Sequence, residues 1–269
     1  MTCPRLVNLL SEATFHDTWA SQNDPFLMVE AMEGPAAFEN RWLFSRIGPL
    51  QGKHVLDVGA GFGEASVWMA LREAEVTMLD VSDGMLQRAR QEAEMRGVRV
   101  QTVHGQAEAM PFPEGTFDVV YGANVLHHCE LDTVAGEVAR VLKPGGRAAF
   151  IEPLAHNPVI NVYRRMAAPF RTPGEQPLRL RDLAVFYRFF AHVEKRFFWL
   201  TALSVFIWFW LGEGVHPARE RYWRKILVDS WRLERVLRLL GSVDTALLRL
   251  FPPLGALCWN VALLCEKSG

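Results

Sequence analysis

Three glycines at alternate positions, Gly59, Gly61 and Gly63, follow the apolar run Val55-Leu56-Asp57-Val58, and Asp80 stands seventeen residues beyond the last of them at the end of a second apolar run. Such a run suits a buried parallel strand, and the glycines, with Ala60 among them, let the backbone turn sharply beneath a ligand without Cβ atoms in the way. A carboxylate about 20 residues past a glycine turn is placed to accept both hydroxyls of a ribose. These residue types at this spacing could hold a nucleoside.

The sixth position of the turn separates the candidates. Sites for dinucleotides have glycine or alanine there, where a pyrophosphate meets the helix N-terminus. Here that position is Glu64, which would repel a phosphate. Asp57, just ahead of the glycines, adds a second negative group. A ligand with a sulfonium cation and an amino-acid tail suits this charge pattern. A nicotinamide cofactor with hydride transfer, or a strand-turn-helix that binds nothing, are the alternatives.

Candidate catalytic groups lie after two further strands. His127 and His128 occur in Asn124-Val125-Leu126-His127-His128-Cys129, and Glu152 ends the run before His156. Any of the first three could take a proton from an acceptor, and a histidine pair there could equally orient the loop through backbone hydrogen bonds. The stretch 156–182 adds Asn161, Tyr163, Arg164 and Arg171, polar and cationic groups suited to an anionic acceptor or head group, unless the arginines form ordinary ion pairs. Upstream, His16 and Trp19 belong to a helix that either folds over the ligand as a lid or packs against the sheet.

The elements that must carry these groups can be read from periodicity. A helix starts at Glu64; Ser82 caps another that runs to Met95, with Gly97 as its stop. A strand is expected over 98–103, another from Phe117, and a helix over 131–142 closed by Lys143-Pro144-Gly145-Gly146. A strand over 147–151, a helix over 181–191 and strands over 193–200 and 256–265 follow. Alternation of this kind predicts an α/β fold, a mostly parallel sheet with helices on both faces and ligands at the carboxyl ends of its strands.

With Val55-Leu56-Asp57-Val58-Gly59-Ala60-Gly61-Phe62-Gly63, Asp80, Ala107-Glu108-Ala109-Met110-Pro111-Phe112, Phe117-Asp118-Val119-Val120 and the 137–146 segment together, the chain resembles the class I S-adenosylmethionine-dependent methyltransferases. It is most similar in style to those of ubiquinone and menaquinone biosynthesis and related small-molecule enzymes. The resemblance is good from about residue 40 to 152 and poor after about 200. It implies a Rossmann-like seven-stranded sheet with the last strand antiparallel, and S-adenosylmethionine as cofactor. It implies that Gly59, Gly61 and Gly63 line the methionine part, that Asp80 meets the ribose, and that Val81 and Met85 flank the adenine. It also implies that Gln106 and Ala107 meet the adenine edge and that Asn124 lies beneath the methionine backbone. Family members often have aspartate where Gln106 stands; its carbonyl could accept from the adenine amino group instead.

The chain has 269 residues and a formal charge of −1, which gives no case for a nucleic-acid partner. Residues 1–150 carry 12 Lys/Arg against 20 Asp/Glu and residues 151–269 carry 17 against 10, so the second part is cationic. Cys3, Cys129, Cys258 and Cys265 have neither metal-ligand nor dense disulfide spacing, no metal is expected, and no signal peptide is read at the N-terminus. A cytoplasmic protein is expected.

Residues 197–212 contain no charge and seven Phe or Trp, too short for a membrane span. Residues 222–250 interleave arginines with apolar residues three and four apart, as in amphipathic helices. Six of the nine tryptophans lie at or after 199, and aromatic rings beside cations favour the headgroup layer of a membrane. A cover over the acceptor pocket, peripheral contact with the inner face of a membrane and a dimer interface are all open uses. The chain is expected to divide into an N-terminal helical lid (1–45), a core (46–200), a helical insertion (201–254) and a final core strand (255–269). The expected reaction is methyl transfer to a small, lipophilic or amphipathic acceptor through carbon, oxygen, nitrogen or sulfur; a non-catalytic cofactor-binding or membrane-associated module is the alternative.

Overall fold

Seven strands, β1 (His54–Val58), β2 (Glu75–Asp80), β3 (Gln101–His104), β4 (Phe117–Ala123), β5 (Leu142–Pro153), β6 (His192–Phe198) and β7 (Asn260–Glu266), form one sheet in the order β3-β2-β1-β4-β5-β7-β6. The computed structural model describes residues 4–22, 32–168 and 176–269, with side chains for 12–21 of the first stretch. The pairs from β3 to β5 are parallel, and β7 runs antiparallel to both β5 and β6. This is the Rossmann-like arrangement expected.

The central strands are buried on both faces, which is why they read as continuous apolar runs. Val55, Leu56 and Val58 of β1 are at most 1 % exposed, and burial of each such side chain contributes about 1.5–3 kcal/mol. One face is covered by α2 (Phe38–Ile47), α3 (Glu64–Ala70) and α4 (Asp83–Met95), the other by α5 (Leu131–Val141) and a short helix α7 (Phe186–Phe189). On α5, Val134, Val138 and Val141 repeat at helical spacing and are fully buried. Glu130 caps α5 by accepting from Asp132 N and Thr133 N.

Outside the sheet lie α1 (Pro4–Gln22), α6 (Pro158–Met166), α8 (Ser204–Ile207), α9 (Tyr222–Asp229) and α10 (Glu234–Leu250). Helix α8 continues through a π turn, Trp208–Gly212, so the uncharged stretch is first strand and then helix. Among the described residues, no helix is long and apolar enough to cross a membrane.

Several boundaries differ from the sequence reading, each for a local reason. Strand β3 starts at Gln101 rather than at 98, because Val98 N still bonds to Ala93 O beyond α4. Lys143-Pro144-Gly145-Gly146 does not simply close α5. Leu142 already pairs with Phe117, and a register shift between Phe117 and Val119 takes up the intervening residues within β5. The helix expected over 181–191 is a 3-10 turn, Asp182–Val185, followed by α7, and Ala191 N already bonds to Glu266 O of β7. The last strand starts at Asn260 rather than at 256, since Pro252–Leu257 forms a 3-10 turn.

Candidate active site

The glycine turn lies between β1 and α3, at the carboxyl end of the sheet. Gly59 has φ +66°, the left-handed region, and a Cβ there would come within 2.5 Å of Val125 Cγ2, so neither the backbone nor the space admits a side chain. Gly63, at φ +82°, is just as restricted: an added Cβ would meet that of Ala89 in α4 at 2.8 Å. Asp80 ends β2 and reaches back beneath the turn, with Oδ2 accepting from Gly61 N at 2.9 Å and Oδ1 from Ser82 N at 2.9 Å. The carboxylate therefore shapes the loop and keeps further lone pairs for a ligand.

Asp57 is 2 % exposed, and its Oδ2 accepts from Ser66 Oγ of α3 at 2.6 Å. Burial pushes the Asp57 carboxyl up to about 7, with Ser66 opposing and Glu64 and Asp80 adding to the rise. Burial likewise pushes Glu64 up to about 7 and raises Asp80. Three crowded carboxyls that ionise reluctantly are relieved by a cation among them. A pyrophosphate would meet the opposite.

The other cofactor candidates gather around this turn. Ala60 and Met85 are buried, Ala60 N bonds to Leu79 O, and Met85 N is taken by the Ser82 cap. The carbonyl of Val81 accepts from His104 Nε2 at 3.0 Å. Ala107 is buried, while Gln106 is exposed beside it and bridges to Ala109. Asn124 follows β4 with φ +57°, a conformation asparagine tolerates, and its N–H bonds to Ile151 O.

Beyond β4 and β5 the candidate catalytic residues have distinct surroundings. Glu152 is fully buried; Oε1 accepts from Val125 N and Leu126 N, each at 2.8 Å, and Oε2 lies 2.7 Å from His127 Nδ1. His127 is buried with it. His128 turns instead toward α1, with Nδ1 3.1 Å from Glu12 Oε1. His16 Nε2 lies 3.4 Å from the other Glu12 oxygen. Burial works against ionisation of Glu12, but the bonds to His128 and His16 outweigh it and bring its pKa down to about 2.

Helix α1 closes over the turn from this side. Asp17 Oδ1 accepts from Ser82 Oγ at 2.6 Å and from Gly84 N at 3.0 Å, which docks α1 on the N-terminus of α4. Trp19 stacks on Phe15, and the Arg221 guanidinium from the approach to α9 lies 5.1 Å from its ring centre. Arg221 also favours the ionised form of Glu64, which links the approach to α9 with both α1 and the glycine turn. Glu12, Asp17, Ser66 and Arg221 were not singled out from the sequence. The Phe15-His16-Asp17-Thr18-Trp19 segment that drew attention to His16 and Trp19 also carries Asp17, but its partners are more than sixty residues away.

The candidates of 156–182 lie together on a different footing. Asn161 Nδ2 donates to Ala155 O at 2.7 Å, and Arg164 donates to Leu154 O and Asn161 Oδ1, each at 2.9 Å, which ties α6 to the end of β5. Tyr163 Oη accepts from Tyr222 N, and its ring packs against Phe206 and Tyr222. His156 Nε2 accepts from Leu180 N. Arg171 lies outside the described residues. No group of three or more His, Cys, Asp or Glu among the described residues could hold a metal ion.

Residues 55–146, the stretch that carries the turn, Asp80 and the β4 loop, match a methyltransferase domain family. The chain carries a class I S-adenosylmethionine-dependent methyltransferase domain. The demethylmenaquinone methyltransferase of Listeria welshimeri is 34 % identical over 160 residues, 56 % of this chain and 61 % of that protein. The chain thus spans less than two thirds of that relative. Two solved structures share the fold of the methyltransferase domain and its surroundings. A putative sarcosine dimethylglycine methyltransferase from Galdieria sulphuraria has TM-score 0.57 and 16 % identity, over 96 % of this chain and 98 % of that one. The geranyl diphosphate C-methyltransferase of Streptomyces coelicolor has TM-score 0.57 and 15 % identity, over 84 % and 77 %. S-adenosylmethionine is the cofactor of this family, and the residues present fit it: Asp57 and Glu64 suit its positive groups, Asp80 keeps lone pairs for its ribose hydroxyls, and the left-handed Gly61 has nothing within 4 Å of where a Cβ would stand.

Proposed function

We propose that the chain transfers a methyl group from S-adenosylmethionine to a small, lipophilic or amphipathic acceptor. The observation that carries this reading is the carboxylate-rimmed glycine turn, in which Asp80 braces Gly61 while Asp57 and Glu64 are held near neutrality by burial. When bound, the cofactor supplies a methyl carbon already activated by a positive sulfur. The protein's task is then to align the acceptor and exclude water.

In this reading Glu152 and His127 are positioning residues: they hold the 124–128 loop, whose Val125 side chain packs over Gly59, in one conformation. His128 is the candidate proton acceptor, poised by Glu12 at the edge of the lid. His16 and Trp19 would cover the cofactor. Tyr163, Asn161, Arg164 and His156 would border the acceptor, with Arg171 outside the described residues.

The helical cap supports a surface-bound acceptor. Trp208, Leu211, Trp231, Leu239, Leu250 and Phe251 are all more than half exposed on α8–α10 and the turns after them, beside arginines, a composition suited to the inner face of a membrane. Flotation with vesicles of phosphatidylglycerol and phosphatidylcholine tests this contact, and a chain that stays with the soluble fraction at low salt argues for a pocket cover alone. Labelled S-adenosylmethionine incubated with a cell extract tests the activity. A labelled lipophilic product is expected, and label confined to protein or nucleic acid would contradict the acceptor class.

A further inference from the structure

Away from the cofactor turn, α2, β6 and α10 enclose a groove of about 1140 Å³, large enough for a lipid head group with part of its tail. None of its lining residues belongs to the cofactor site. Its floor is aromatic: Phe38 meets Trp199 with ring centres 5.1 Å apart, and Trp42 meets Phe198 at 6.3 Å. Its walls are cationic. Arg41, Lys195, Arg196, Arg238 and Arg249 come from three separate elements.

The acids beside them are already engaged. Asp244 is buried and accepts from Leu200 N and Thr201 N, Glu33 pairs with Arg72, and Glu234 pairs with Arg238 on its own helix. Among the described residues, Lys195, Arg196 and Arg249 have no ion-pair partner. Arg196 is half-buried on the edge strand, with its guanidinium 5.4 Å from the Phe198 ring centre and 3.5 Å from Thr245 Oγ1. Arg41 donates to Gly34 O and Pro35 O and lines the groove together with Arg238; burial disfavours its charge, with Arg238 adding to the effect and Glu39 opposing it. Each guanidinium carries five N–H donors, so Arg41, Arg196 and Arg238 keep donors beyond these contacts, which suits a phosphate that accepts from more than one of them.

On α10, Arg238, Thr245 and Arg249 are seven and four residues apart and share the stripe that walls the groove. Leu239, Val243 and Leu250, four and seven apart, share the neighbouring stripe and are 65 %, 37 % and 71 % exposed. A bilayer touching that apolar stripe would bring head groups to the mouth of the groove.

We propose that this groove binds the head group of an acidic phospholipid, its phosphate held between Arg41, Arg196 and Arg238 and its apolar part laid on Phe38 and Trp42. This rests on the membrane contact proposed above and gives that contact a specific lipid site.

The test is calorimetric titration of the full chain with dihexanoylphosphatidylglycerol below its micelle concentration, with dihexanoylphosphatidylcholine and inorganic phosphate as parallel ligands. Phosphatidylglycerol is expected to bind at least about tenfold more tightly than either, and Arg196→Gln and Ser242→Trp, which removes no charge but fills the groove, each to weaken it about tenfold. S-adenosylhomocysteine affinity is expected to be unchanged in both variants, which separates this site from the cofactor site and reports folding. Equal affinity for phosphatidylcholine, equal affinity for phosphate alone, or undiminished binding in both variants would overturn the proposal. Leu239→Glu is expected to abolish vesicle flotation while short-chain lipid still binds. Short-chain binding in a wild-type chain that never floats would overturn the membrane contact alone.

Discussion

Glu152 Oε2 lies 2.7 Å from His127 Nδ1, and the other oxygen of the same fully buried carboxylate accepts two successive backbone N–H groups of the loop after β4. A buried acid with three donors is costly to disturb. Glu152→Ala would leave those donors without a partner, and a loss of about 3–5 kcal/mol in unfolding free energy is expected, as for breaking one side of a buried pair. Glu152→Gln keeps one acceptor oxygen and should cost less. Denaturant unfolding of both variants, with wild type alongside, checks the order.

Gly59 and Gly61 both have positive φ but differ in what surrounds them. A side chain at Gly59 strikes Val125, whereas nothing lies within 4 Å of a Cβ at Gly61. Gly59→Ala is therefore expected to lower Tm and to weaken S-adenosylhomocysteine binding about tenfold or more, while Gly61→Ala costs only the backbone strain of about 1–2 kcal/mol. Thermal unfolding and calorimetry on the two variants test the contrast. Equal effects would mean that Val125 yields.

The raised carboxyls at the turn set a pH dependence. Asp57 and Glu64 rise from their ordinary values of 3.8 and 4.5 to about 7, so the folded chain keeps protons that the unfolded chain has released. Their contribution to stability is therefore present at acid pH and is lost as pH rises from about 4 to about 7. A positive ligand favours the ionised forms, so S-adenosylmethionine should bind more tightly at pH 8 than at pH 6 and release protons near pH 7. Titrations in buffers of different ionisation enthalpy count those protons; proton uptake would contradict the assignment.

Asp17 docks α1 through Ser82 and Gly84. Asp17→Ala is expected to cost about 1 kcal/mol, like the loss of a helix cap, and to make residues 4–22 more sensitive to protease without unfolding the sheet. The Glu12 link behaves differently with pH. Because Glu12 is brought down to about 2, its contribution is complete above about pH 4.5 and is lost as pH falls toward 2. Protease sensitivity of α1 against pH, in wild type and Glu12→Gln, checks this.

The strand-turn-helix with Asp80 beneath it was legible because its constraints are local: the apolar run of β1, the glycines and Asp80 act within about 25 residues of chain. The mostly parallel sheet followed from alternation, and its seven strands with the last antiparallel from the family resemblance, whereas the order of the strands was not read. What could not be read is what depends on distant partners. Glu152 was assigned a possible proton-transfer role from its place at a strand end, while the amides and imidazole it meets lie 25 to 27 residues away. Asn161 and Arg164 were read as acceptor contacts from their polarity, and both bond to carbonyls at the end of β5. The start of β7 was read four residues early because periodicity does not distinguish a strand from the 3-10 turn that Pro252 and Pro253 begin. The cationic groove is assembled from residues spread over 33–252 and has no sequence signature at all.

The central claim is that the carboxylate-rimmed turn holds a sulfonium nucleoside. Calorimetry with S-adenosylmethionine, S-adenosylhomocysteine and NAD, on wild type and on Asp80→Ala, tests it most directly. One S-adenosylmethionine per chain is expected, with affinity falling by more than about tenfold in the variant and no binding of NAD. Equal affinity in the two proteins, or NAD binding without S-adenosylmethionine binding, would contradict it.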